Sequence, residues 1–222
     1  LPSSLVWKIA KRYVAGQTKE EALRIVQTLN TKGFSVTLDI LGEHTKDVAT
    51  SKKIIQEIYL KLKDAQNRGN RIFVMGNGGS SSTSSHFVSD LLKTSLTVNQ
   101  NRPKAISLTD NIPVLMAWAN DTSFENIFAS QLENFIEKDD IVIGISGSGN
   151  SENVIKAIQF ANEKNAQTIC LLGGDGGKLA NISQLCLIIP NNNMLTIETM
   201  HLLVCHLLTT LLRSDGKPLF SY

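Results

Sequence analysis

Cysteine is scarce here and badly placed for holding a metal. Cys170, Cys186 and Cys205 sit singly inside apolar runs, at no spacing that a tetrahedral site uses. Buried, reduced thiols in a cytoplasmic protein are expected. Neither sign of charge is in excess: 22 basic against 20 acidic residues leave a formal +2. The basic residues are spread along the chain, which excludes the basic face of a nucleic-acid binder. Long apolar runs are missing too. The longest near the end, Met200 to Leu212, is broken by His201, Cys205 and His206 and is expected to be too short for a bilayer, so no membrane partner is expected. The opening LPSSLVWKIAKRYVAG carries charges where a signal peptide has its apolar core, so none is expected there. Neither the Gly-Lys-Ser/Thr of a P-loop nor a GxGxxG fingerprint occurs in the glycine-rich loops, which excludes those two nucleotide-binding devices. What remains is a chain of 222 residues, 42% hydrophobic, able to bury a full core.

From residue 51 onward, apolar runs alternate with helical patterns. A helix is expected over 51–67, then strands at Arg71–Met75, Ala105–Leu108, Ile141–Ile145, Thr168–Leu172 and Cys186–Ile189. Helices are expected from Ser81 to Leu92, from Pro113, over the ENVIKAIQFANEK that follows Ser151, and along the apolar tail from Thr196. Short strands that are apolar on both faces, alternating with helices, mean an α/β fold: a doubly wound parallel sheet in three αβα layers. The first fifty residues form a separate α-β segment, with a helix begun by a capping box at Thr18 and Glu21 and a strand over Phe34–Asp39. The division expected is therefore 1–50 and 51–222. The strand over Phe34–Leu38 is expected to join an edge of the main sheet, a change that favours a dimer over a tetramer.

Two loops stand between a strand and a helix. Gly76-Asn77-Gly78-Gly79-Ser80 lets backbone approach a ligand, and the helix after it offers free N–H groups. Ser146-Gly147-Ser148-Gly149-Asn150-Ser151 combines hydroxyls with backbone amides, a phosphate cradle without lysine. Loops of this kind at the carboxyl ends of parallel strands flank a crevice site. His86 and Asp90, four apart, share a helix face. Glu198 and His206, eight apart, differ by roughly 80° around their helix. Each has a bland reading: a local cap, a solvated carboxylate, a hydrogen-bonded core histidine. As a set they suit a divalent, zinc-like ion or acid–base work.

Taken in order, GNGGS, His86-Phe87, Ala119-Asn120-Asp121, GISGSGNSENVIKAI, GGDGGKLA and the terminal helix resemble the phosphoheptose isomerase family of SIS-domain proteins. That family interconverts sedoheptulose 7-phosphate and D-glycero-D-manno-heptose 7-phosphate. The resemblance implies a sugar lined by Asn77, Gly78, Gly79, Ser80, Asn120 and Asp121, and a phosphate held by Ser146, Gly147, Ser148 and Ser151. It places a zinc site on His86, Asp90, Glu198 and His206, gives Glu198 a share of the substrate, and makes Asp90 and His206 the acid–base pair. It also implies a homo-oligomer with sites between subunits, the terminal helix reaching the metal from a neighbour. This chain departs from the family at Asp90 (glutamate there), Glu198 (glutamine), Thr94 (arginine nearby) and Gly147 (threonine). A non-catalytic sugar-phosphate or protein-binding module is the alternative reading. Tyr13–Leu23 and Val36–His44 resemble the opening of a proline dehydrogenase barrel, which implies a fused or engineered chimera.

Overall fold

Five apolar runs become parallel strands. The computed structural model describes residues 48–221 and the helical positions Arg24, Thr28 and Thr31. The chain divides into two compact units, Leu1–Glu43 and His44–Tyr222. The strand expected at Phe34–Asp39, its pairing with a sheet edge and the helix from Thr18 lie outside the described residues. In the second unit, α1 spans Val48–Arg68, so the boundary expected after residue 50 falls inside a helix.

The remaining elements follow in sequence. β1 is Arg71–Gly76 and α2 is Gly79–Ser89, running into a π-turn over Asp90–Thr94. β2 is Lys104–Ser107, α3 Ile112–Asp121, and a short α4 Ala129–Glu133 precedes β3, Ile141–Ser146. Then come α5 Glu152–Glu163, β4 Gln167–Gly173, α6 Leu179–Ile182, β5 Leu185–Ile189 and α7 Met194–Arg213.

The sheet order is β2-β1-β3-β4-β5, parallel throughout. Successive strand residues point to opposite faces, and two cores result. Ile72, Val74, Ile143 and Leu171 face α1, α2 and α7 through Leu62, Phe87 and Leu208. Phe73, Met75, Val142 and Leu172 face the other way, against Phe128, Val154 and Ile158. Both faces are covered, which is why the strands are apolar at every position. The two faces also claim the cysteines. Burial pushes the Cys170 thiol up to about 12 and raises Cys205 further, so both stay protonated and inert.

α7 differs from its sequence reading. It is a continuous helix of 20 residues, long and apolar enough to cross a membrane; an 18-residue stretch of it has a mean hydropathy of 1.5, and half of that stretch is buried inside the domain. His201, Cys205 and His206 do not interrupt it: the buried His201 Nε2 lies 3.1 Å from the carbonyl of Leu172, His206 Nε2 lies 2.9 Å from His86 Nε2, and Cys205 is buried as a small apolar side chain. A core helix under a parallel sheet carries the same composition as a spanning helix.

Candidate active site

The sheet order reverses direction at β1 and β3. From β1 the chain crosses to β2 on one side and then returns to β3 on the other, so the loops leaving β1 and β3 diverge. A crevice opens outside their carboxyl ends, where ligands of open α/β sheets bind.

The loop after β3 is built from short-range hydrogen bonds. Ser146 Oγ accepts from Gly149 N at 3.1 Å and lies 3.3 Å from Ser151 Oγ, and Ser148 Oγ accepts from Asn150 N at 3.2 Å. Ser151 is the N-cap of α5 and makes no side-chain capping bond, which leaves its hydroxyl to the loop. The loop leans on the glycine turn after β4. Lys178 N donates to Asn150 Oδ1 at 3.1 Å and Leu179 N to the carbonyl of Gly149 at 3.0 Å. Gly149 must be glycine: its φ is +64°, and a Cβ there would lie 2.0 Å from the Gly176 carbonyl oxygen. At Gly147, a Cβ would lie 2.3 Å from Met194 Sδ, so the first turn of α7 fills the space of the missing side chain.

The loop after β1 faces it. Gly78 has a φ of +56°, and Ser80 is buried in the first turn of α2. A Cβ on Gly79 would lie 2.5 Å from both carboxylate oxygens of Glu198, so Glu198 rests directly on this loop.

Further along α2, the expected i, i+4 pair meets α7. The His206 Nε2 lies 2.9 Å from His86 Nε2, and Asp90 Oδ2 stands 3.6 Å from the first imidazole's partner, His86, and 3.8 Å from His206. The aspartate, shorter than the family's glutamate, thus reaches both rings. Asp90 opens the π-turn, a local widening of a helix that often marks functional positions. Thr94, near which the resembled family has an arginine, ends that turn, and its carbonyl accepts from Arg213 Nη1 at 2.8 Å.

Metal donors around a tetrahedral zinc with bonds of about 2.0–2.2 Å stand roughly 3.3–3.5 Å apart. His86, Asp90 and His206 can each offer one donor atom, all within 4.8 Å of one another, so the three fit a divalent ion. Glu198 stands apart from them. Eight residues advance a helix by about 12 Å, and the Glu198 carboxylate lies against Gly79 on the loop after β1. Asp90 and His206 also meet within one chain, so the reach of α7 from a neighbouring subunit is not needed for this cluster.

Asn120 and Asp121 end α3, exposed, with Asn120 Nδ2 donating to Asp121 Oδ1 at 2.7 Å. Among the described residues they make no hydrogen bond to either loop. Two residues that pattern reading passed over belong to the site's frame. Asn153, in the first turn of α5, bonds to Asn77. His201 ties α7 to the end of β4, and burial lowers its pKa so that the ring stays neutral. A histidine between Met200 and Leu202 was the one sequence hint of His201, and Asn153, after Ser151 and Glu152, gave none.

Serine cradle, glycine loop and histidine–carboxylate cluster on this sheet define a sugar-phosphate isomerase (SIS) domain, and the SIS domain family matches residues 40–173. The chain belongs to the phosphoheptose isomerase family. It is 40% identical to the phosphoheptose isomerase of Helicobacter pylori (strain ATCC 700392 / 26695) over 184 residues, 83% of this chain and 94% of that protein. It is similar in structure to the phosphoheptose isomerase of Francisella tularensis, with a TM-score of 0.68 at 27% identity, over 89% of this chain and all of that one. The Neisseria gonorrhoeae phosphoheptose isomerase aligns with a TM-score of 0.68 at 26% identity, over 87% of this chain and 98% of that one. These matches lend no support to a proline dehydrogenase-like opening or to a fusion.

Proposed function

We propose that this chain interconverts sedoheptulose 7-phosphate and D-glycero-D-manno-heptose 7-phosphate. The observation that carries the reading is the convergence of Asp90 and His206, 3.8 Å apart, in a domain that also carries a serine cradle and a glycine loop. The serines hold the phosphate, and the loop from Asn77 to Ser80 and Glu198 line the sugar. Asp90, as carboxylate, takes a proton from C1 of the ketose while His206 gives one to O2, producing an enediol. His206 then recovers a proton from O1 and Asp90 returns one to C2, giving the aldose with no net gain of protons. His86, Asp90 and His206 would hold a zinc ion that would polarise the substrate's oxygens, leaving the second ring nitrogen of His206 and the second carboxylate oxygen of Asp90 to move protons. Reduced thiols support a cytoplasmic setting.

The test combines an isomerase assay on sedoheptulose 7-phosphate with metal analysis. Turnover is expected, together with about one zinc per chain that His206→Ala removes. A protein that binds the sugar phosphate without turning it over would be the non-catalytic module instead.

A homo-oligomer belongs to the same proposal. α3 reads IPVLMAWAND and buries none of its residues, with Ile112 64% and Met116 66% exposed. So apolar a helix needs a cover, and Asn120 and Asp121 at its end need a site to line. A second copy of the chain answers both. Light scattering after size exclusion should show a dimer, and Ile112→Lys with Met116→Lys should give monomers with little activity. A wild-type monomer with full activity would rule this out.

A further inference from the structure

We propose that Asn153 is a positioning residue that locks the sugar loop to the phosphate loop by pairing with the side chain of Asn77. The inference rests on the isomerase reading of this site. Asn77 Nδ2 donates to Asn153 Oδ1 at 2.8 Å, and Asn153 Nδ2 donates back to Asn77 Oδ1 at 2.9 Å. The two carboxamides form a closed pair, 76 residues apart in sequence. Asn153 is 2% exposed, and its Oδ1 also accepts from Val154 N at 3.0 Å, which fixes its ring of contacts to the first turn of α5.

The consequence concerns Asn77. With Nδ2 and Oδ1 each bonded to Asn153, the Asn77 amide is held in one orientation, and its second N–H and second lone pair remain for a ligand. The pair bridges the point where the β1 and β3 loops diverge, two residues beyond the Ser151 cap on one side and directly after β1 on the other. Sugar and phosphate are therefore held at a fixed separation by one amide pair, buried on the Asn153 side. Geometry of this kind governs rate: a misplacement near 1 Å can cost ~10²-fold.

Asn153→Ala, Asn77→Ala and the double substitution provide the test, each read by kcat, KM, calorimetry with sedoheptulose 7-phosphate and calorimetry with inorganic phosphate. Each single change is expected to lower kcat by ~10²-fold, with the double no worse than either, because both remove the same pair. Inorganic phosphate should bind all variants within about threefold, since the serine cradle is untouched. Asn153→Asp adds a pH signature. Its carboxylate can accept from Asn77 but cannot donate, whereas the protonated acid restores the donor. The activity of this variant relative to wild type should therefore rise as pH falls.

Additive losses in the double variant would overturn the inference, because Asn77 would then act on the sugar by itself. So would a loss of inorganic phosphate binding as large as the loss of sugar-phosphate binding, or a flat pH ratio for Asn153→Asp. Should the wild type bind sugar phosphate without isomerising it, the isomerase reading fails while the binding cycle still decides the role of Asn153. A wild type that binds no sugar phosphate would sink both.

Discussion

Asp90→Asn should lower turnover of sedoheptulose 7-phosphate by ~10²–10⁴-fold, the range spanned by loss of a general acid or base. The substitution keeps the shape of the side chain and removes its ability to take a proton. Asp90 is well enclosed, its side chain 16% exposed, and stands within 3.8 Å of both imidazoles, so no other carboxylate of the cluster can replace it. Substrate binding should change little, because the phosphate is held by the serine loop. The check is a kcat and KM measurement beside calorimetry on the same variant. A kcat within threefold of wild type would remove Asp90 from the chemistry. Zinc content should fall as well, since an amide is a poorer ligand than a carboxylate.

Ser148→Ala combined with Ser151→Ala should weaken sugar-phosphate binding by about 10²-fold. Charge-assisted hydrogen bonds to a phosphate contribute about 1.5–3 kcal/mol each and do not add in full. Ser151 caps α5 without bonding its own helix, so its hydroxyl is available to an anion at the positive end of the helix. Ser146 is better left alone in this test. Its oxygen accepts from Gly149 N, and removing it would loosen the loop itself. Titration calorimetry reads the result, and unchanged affinity would place the phosphate elsewhere.

The five strands were legible because a sheet covered on both faces demands apolar residues at every position, a local and unmistakable pattern. Their edges shifted by a residue or two: β2 begins at Lys104 and β5 at Leu185, since hydrogen-bond registry, not hydropathy, ends a strand. The short α4, α6 and the π-turn at Asp90 left no comparable trace. A single helical turn is too brief to show a period, and a π-turn differs from an α-turn by one residue.

By itself, the sequence determined the fold class, the two loops at strand ends and the pairing of His86 with Asp90, because each depends on residues within a few positions of one another. Tertiary structure alone decided which distant groups meet. His206 comes to His86 across 120 residues, and Asn153 to Asn77 across 76. Glu198 goes to Gly79 because the rise along α7 carries it away from His206, a distance that an angular reading of a helix does not contain. Contacts of this kind are set by how α7 and α5 lie on the sheet, and helix orientation follows from the packing of whole faces rather than from any local run of residues.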